Sequence, residues 1–315
     1  MNRLLVLIAG LLCATMAFAD RMHLVIPAGP GGGLDATGRA IGHALMQNEI
    51  VSTVSYENRS GGGGGKAMAY FIGSGASLDH TLLVNSTPLL VRSLQGLFPH
   101  SYTDLQPVAG LIADPAVVVV RADSPFQDWQ SVAAALIDNP ARVFVGGGSV
   151  RGSLDHIVTS LLAKAINVKP QAVRYLPYDG GGKAMLALLS GEVQVLVSGL
   201  GETISQHQSS RVRILAVATA ERSSALSQVP TFAETGTNVV FSNWRGLFAS
   251  KQASPTELQG YIDAITAAVS SQAWTAQLQR YGWQPQFLPA DQFTDYLGEQ
   301  EALLRLVLQD LGLIR

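Results

Sequence analysis

Along most of the chain, short runs rich in β-branched residues alternate with stretches whose apolar positions return every three or four residues. Such alternation is the signature of strands packed beneath helices in α/β layers. It predicts strands at 23–27, 51–57 and 81–84, separated by helices at 36–47 and 66–72. Four consecutive valines at 117–120 read as a strand buried on both faces or crossing between two units. Further strands are predicted at 143–145, 173–175 and 193–197, with helices between them. Leu154, Ile157, Val158, Leu161, Leu162 and Ala165 form the apolar stripe of one such helix. "RVRILAVAT" and "SNWRGLFAS" add two strands, Ser254-Pro255 opens a helix carrying Leu258, Tyr261, Ile262, Ile265 and Val269, and 291–311 is a final helical stretch.

At 315 residues the chain exceeds a single core of ordinary size, and no linker rich in Pro, Gly or charge divides it. The expected organisation is therefore two lobes joined by crossing strands, residues 20–120 with 245–315 forming one and 121–244 the other. Residues 1–19 carry a positive start at Arg3, an apolar stretch at 4–12 and the small-x-small site Ala17-Phe18-Ala19. They predict a signal peptide cleaved after Ala19 and an exported protein. The only cysteine, Cys13, falls inside that leader, so neither a disulfide nor a thiolate site is expected in the mature chain. Leu12 before it argues against lipid attachment.

Without Arg3 the chain carries 20 basic and 23 acidic residues, a net charge of −3, and it has only five lysines. That balance excludes nucleic acid and anionic membrane as partners, since both need a concentrated basic face. An anionic ligand would have to be held by backbone N–H groups and a few arginines.

The loop "VIPAGPGGGLDATG" at 25–38 formally satisfies the dinucleotide pattern with Gly31, Gly33 and Ala36, and Glu57 stands where a ribose-binding acid belongs. Pro30 removes a donor from the pyrophosphate seat and Asp35 would repel it, so Asp35 reads instead as the N-cap of the helix that follows. The stretch "GGGKAM" occurs at 63–68 and again at 180–185. Ser60 and Pro177 replace the first glycine of a phosphate loop, and Ala67 and Ala184 replace its hydroxyl, so neither is a nucleotide site. Both remain glycine-rich helix starts that could face each other across a cleft, with free N–H groups aimed at an anion. "NSTPL" at 85–89 and "GGGSVRGSLDH" at 146–156 also sit between a strand and a helix. No nucleophile elbow and no metal-ligand spacing of histidines is present. Asp155-His156 is the one suggestive acid–base pair, but neighbours on a helix face different ways, so it reads as an ordinary surface or capping pair. No cofactor is expected.

Pro27, Pro30, Gly31, Gly32 and Asp35 match the family pattern P-x-x-P-G-G-x-x-D. With "ENRSGGGG" at 57–64, "LPYDGGGKAMLALLSGEVQV" at 176–195, "ILAVATAERSSAL" at 214–226, "VPTFAETG" at 229–236 and "WRGLFAS" at 244–250, the chain resembles the extracytoplasmic receptors of tripartite tricarboxylate transporters, the Bug family. "RADSP", "NVKPQAVRYLPYDGGG" and "WRG" look closest to its tricarboxylate-binding branch. The resemblance implies a periplasmic binding protein of the second type, an α/β fold of two lobes. Each lobe is a mostly parallel sheet flanked by helices, and two crossing strands form the hinge. It implies a di- or tricarboxylate such as citrate held in the cleft and passed by a monomeric receptor to a membrane permease.

Carried over by position, the resemblance places one carboxylate on Ala28, Gly29 and Gly31, Gly32 and Gly33, with Asp35 fixing the loop and Ser86 and Thr87 alongside. From the other lobe it implies Ser149, Gly152, Ser153, Tyr178, Gly180 and Ser198. The loop at 147–152 is one residue longer than the common family form. Arg245 stands where many members have an aromatic residue and is expected to take a further carboxylate. Two alternatives remain at this stage: a carboxylate receptor that signals to a sensor kinase, and an exported enzyme acting on a small organic acid.

Overall fold

A computed structural model describes residues 21–315, so the predicted signal peptide and Cys13 lie outside the described residues. The first half of the fold opens with β1 (Arg21–Ile26), α1 (Gly33–Gln47), β2 (Thr53–Asn58), α2 (Gly65–Ser74), β3 (Thr81–Ser86) and α3 (Pro88–Leu94). The long strand β4 (Leu105–Arg121) follows and leads into α4 (Trp129–Asp138), β5 (Phe144–Gly147), α5 (Leu154–Ala165), β6 (Arg174–Pro177) and α6 (Gly181–Ser190). Then come β7 (Val195–Gly199), α7 (Leu200–Gln208), β8 (Val212–Val217), β9 (Ser242–Ser250), α8 (Pro255–Val269), α9 (Gln272–Tyr281), β10 (Gln284–Pro289) and α10 (Ala290–Asp310). Among the described residues no helix is long and apolar enough to cross a membrane.

The strands form one curled sheet in the order β2-β1-β3-β9-β4-β7-β5-β6, with β8 and β10 also paired to β4. β1 runs parallel to β2 and β3, and β5 runs parallel to β6 and β7. β4 and β9 lie antiparallel to their neighbours, so the sheet is mixed, with a parallel core at either end. The four-valine run is only the end of β4, which spans 17 residues. Its first part pairs with β9 as far as Pro115, opposite Ser242, and from Ala116 onward it pairs with β7 and β8. The chain returns beside it, where Ala116 N–H donates to Phe241 O. β4 thus passes from one half to the other between Pro115 and Ala116, ahead of the valines.

Four buried clusters hold these layers. Ile26, Ile41, Leu45 and Leu247 pack with Ile265 and Trp274 on one face of the first half, and Phe71, Leu83, Trp244, Phe248 and Phe293 on the other. In the second half Trp129, Val145, Val158, Tyr175 and Phe232 lie on one face and Val117, Leu188, Leu196 and Ile204 on the other. Burial on both faces explains why the strands read as continuous apolar runs. The predicted helix over 154–165 is found with those bounds, whereas α9 and β10 have no counterpart in the prediction. β10 reads "QPQFLP", with two prolines and little alternation, and it is held by pairing to β4 at the sheet edge.

Close approach of β4, β9 and α10 depends on Gly246. A Cβ there would stand 2.4 Å from Phe293 Cζ and 2.7 Å from the Ala109 carbonyl oxygen. Gly246→Ala should lower the unfolding free energy in urea by about 1–3 kcal/mol through overpacking, with the denaturant slope unchanged.

Candidate functional site

The parallel strands deliver their C-terminal ends to one place. The loop after β1, the end of β3, the loops after β5 and β6 and the end of β7 surround a cavity of about 130 Å³, with the switch point of β4 and β9 as its floor. Ligands of open α/β sheets settle at such carboxyl ends, where strand order changes direction.

Of the expected residues, Ala28, Gly32, Gly33, Ser86, Ser149, Gly180, Ser198 and Arg245 line this cavity. The other seven stand behind it or at its edge. Asp35 is not the N-cap: α1 begins two residues earlier, with Gly32 in that position. Its buried carboxylate instead accepts from Gly31 N–H (2.9 Å), Arg39 Nε (2.9 Å) and Asn58 Nδ2 (3.0 Å), fixing the loop. Burial works to raise its pKa, but these donors outweigh it and hold it below the ordinary value. Gly29 and Gly31 shape the same loop outside the lining. Thr87 takes the Asn243 Oδ1 acceptor on its N–H at 3.3 Å, and Ser153 stands at the N-cap position of α5. Gly152 joins the two halves at the rim, its carbonyl accepting from Gln95 Nε2 at 2.8 Å. Tyr178 packs over Gly146, outside the lining. Of the two "GGGKAM" copies only the second reaches the cleft; the first lies over Arg92, so the expected facing pair is not formed.

Arg245 reaches the cleft, but its guanidinium is engaged inside the protein. It is 3% exposed and Asp114 is 1% exposed, and the two form a buried ion pair through Nη2 and Oδ2. Register sets this up: Arg245 lies opposite Ile112, so its side chain shares a sheet face with Asp114 two residues on. Nη1 donates to the Gly33 carbonyl at 2.8 Å and to Thr37 Oγ1 at 3.0 Å, while Gly201 N–H donates to Asp114 Oδ1 at 3.0 Å. Burial pushes the Asp114 carboxyl up, and Arg245 with the Gly201 N–H pulls the other way. Gly33 is required by this approach, since a Cβ there would come within 2.2 Å of Arg245 Nη2.

Two further carboxyl groups line the cleft. Glu202, in the first turn of α7, accepts from Gly33 N–H at 2.6 Å through Oε1 and from the Ser198 hydroxyl at 2.9 Å through Oε2. It passes so close to α6 that a Cβ on Gly181 would stand 2.5 Å from Oε1. Asp155, in the first turn of α5, is 8% exposed. Burial, and then the Glu202 charge, push its pKa up to about 8, against the pull of the Ser149 hydroxyl and the Gly148 N–H. The expected surface pair is thus a buried acid in the cleft wall beside a histidine that faces elsewhere. His156 Nδ1 accepts from Gly152 N–H at 3.0 Å, and its ring lies 4.9 Å from that of Tyr175. Among the described residues no group of three His, Cys, Asp or Glu could hold a metal ion.

Asp114 and Glu202 were not expected in the site. For Asp114 a signal existed, because a lone acid inside an apolar strand needs a buried partner. For Glu202 it was weaker, an acid in the first turn of a helix that follows a buried strand.

Breaking the central pair should be costly. Arg245→Met strands the Asp114 charge and should destabilise by about 3–5 kcal/mol in urea unfolding, and adding Asp114→Leu should recover most of that loss. Asp155 gives a pH signature. Its folded pKa lies above the unfolded one, so the folded chain holds a proton that the unfolded chain releases. Stability should therefore fall between pH 5 and 8, by at most about 1.4 kcal/mol per pH unit. In Asp155→Asn, melting curves across that range should lose this decline.

The family model described as tripartite tricarboxylate transporter family receptor matches residues 39–313. A protein encoded in the tcbD–tcbE intergenic region of Pseudomonas sp. is 31% identical over 271 residues, 84% of this chain and 79% of that relative. The structure of the periplasmic binding protein BugD is similar with a TM-score of 0.82 at 20% identity, over 93% of this chain and 97% of BugD. A Rhodopseudomonas palustris protein with adipate is similar with a TM-score of 0.85 at 22% identity, over 93% of this chain and 97% of that one. The fold is that of the periplasmic binding proteins, as the sequence resemblance implied. With a cleft at the strand ends of both halves and a family match over nearly the whole described chain, the protein belongs to the receptor family of tripartite tricarboxylate transporters.

Proposed function

We propose that this protein is a periplasmic receptor that captures a small organic acid between its two halves and presents it to the membrane permease of a tripartite tricarboxylate transporter. The observation that carries this reading is the seat at the start of α1, where Gly33 N–H already receives a carboxylate oxygen at 2.6 Å, that of Glu202. A helix N-terminus preceded by two glycines, Gly31 and Gly32, suits an anion, and the Glu202 contact supports a carboxylate as that anion. The adipate in the Rhodopseudomonas palustris neighbour supports the same class of ligand.

Capture proceeds without bond chemistry. The halves open about the crossing strands near Pro115 and Ala116, the acid settles against the loop at 28–33, and the loops after β5, β6 and β7 close over it by hinge motion. The residue rims on either side of the closed cleft form the surface offered to the permease. The sequence expectation was a di- or tricarboxylate, with Arg245 as a further anion partner. The occupied guanidinium supports an acid of lower charge, since no other Arg or Lys lines the cavity among the described residues.

Thermal-shift measurements against mono-, di- and tricarboxylates test this. At about a hundredfold over its dissociation constant, the ligand should stabilise the protein by roughly 2.7 kcal/mol and raise the melting temperature by several degrees. It should also be recovered chemically unchanged after long incubation. A panel in which no carboxylate moves the transition would sink the receptor reading, and turnover of the bound acid would replace it with an enzyme.

A further inference from the structure

We propose that Glu202, seconded by Asp155, is the specificity determinant of the cleft, selecting a ligand that pairs a single carboxylate with an ammonium or other cationic nitrogen. The proposal rests on the receptor reading above and names the substrate class for that same cleft.

Charge in the cavity wall is one-sided. Asp114, Asp155 and Glu202 all line it, and Arg245 is the only Lys or Arg that does so among the described residues. Arg245 balances Asp114. Two carboxyl groups are then left facing the same space without a cation. The acidity of Asp155 records the imbalance: apart from burial, the strongest influence driving it up to about 8 is the neighbouring Glu202 charge. A second ligand carboxylate brought beside them would meet the Glu202 charge at low dielectric, whereas an ammonium would meet that charge as a partner and would favour release of the Asp155 proton, making a second acceptor.

The donors point the same way. Glu202 already spans the cleft, taking the Gly33 N–H of α1 with one oxygen and the Ser198 hydroxyl at the end of β7 with the other. It therefore competes with any ligand carboxylate for both groups. Arg245, buried in the cavity lining, keeps one nitrogen, Nε, without a partner among the described residues. One unpaired donor is provision for one acceptor, and two uncompensated acids are provision for a cationic donor. The ligand polarity follows: carboxylate toward Arg245 and the floor of the cleft, cationic nitrogen toward α5 and α7.

Calorimetry with matched probes tests this. Succinate, glutarate and adipate are each compared with the amino acid in which an ammonium replaces one carboxylate: β-alanine, γ-aminobutyrate and δ-aminovalerate. In the native sequence the best amino acid should bind at least about tenfold more tightly than the best dicarboxylate. Glu202→Gln keeps the size of the side chain and removes its charge, and should bring the two within about threefold, with Asp155→Asn moving the ratio in the same direction. A native preference for the dicarboxylate, or a ratio that Glu202→Gln leaves unchanged, overturns the specificity proposal and leaves the carboxylate receptor standing. If neither series binds, the specificity proposal falls, and the receptor reading falls with it only when the thermal-shift panel of mono-, di- and tricarboxylates is also silent.

Discussion

The buried pair of Asp114 and Arg245 is the constraint around which the rest of the structure is arranged. It lies where β4 leaves one half for the other, and its hydrogen bonds reach the start of α1 through Gly33 and Thr37 and the start of α7 through Gly201. Crossing strands and helix termini from both halves thus meet on one salt bridge. Such a pair adds little net stability against an apolar replacement, because desolvation consumes the Coulomb attraction, but removing one partner is severe. Its effect is to fix geometry: neither strand can slip in register without exposing an uncompensated charge.

Around that pair the cleft is organised by acids meeting helix N-termini. Asp35 holds the loop before α1, Asp114 meets α7, Glu202 reaches α1 across the cleft, and Asp155 sits in the first turn of α5. The glycines let these side chains approach the backbone closely, as at Gly33 and Gly181. Donors that the sequence offers to a bound anion are thereby shared with the protein's own carboxylates. On the proposed receptor reading, affinity and selectivity both depend on that competition, since a ligand gains only what its contacts add over those already made.

Family membership and site chemistry are distinct conclusions here. The family follows from blocks of sequence in a fixed order, confirmed by a match over residues 39–313. Those blocks specify the loops that border the cleft. They do not specify the charge inside the cleft, which is set by single side chains at strand and helix ends. Arg245 and Glu202 are such positions, and each has its role through a partner about 130 and 170 residues away in sequence, Asp114 and Gly33 respectively.

By itself the sequence determined the alternation of strands and helices, the two-part α/β organisation and the loops at the strand ends, because these follow from local periodicity and from glycine-rich helix starts. The helix over 154–165 and the strand over 242–250 carry their own signals and are found where predicted. The length of β4 and the existence of β10 were not legible, because both depend on pairing with distant strands. Eight of the site residues expected by position line the cavity, since a loop at a strand end keeps its place in this fold whatever its side chains do. Only the tertiary structure decided that Arg245 is spent on Asp114, that Asp155 faces the cleft and that Glu202 closes on Gly33. Each of these depends on two side chains brought together from remote elements, and the free energy of such a pair is set by burial and distance, which no local pattern encodes.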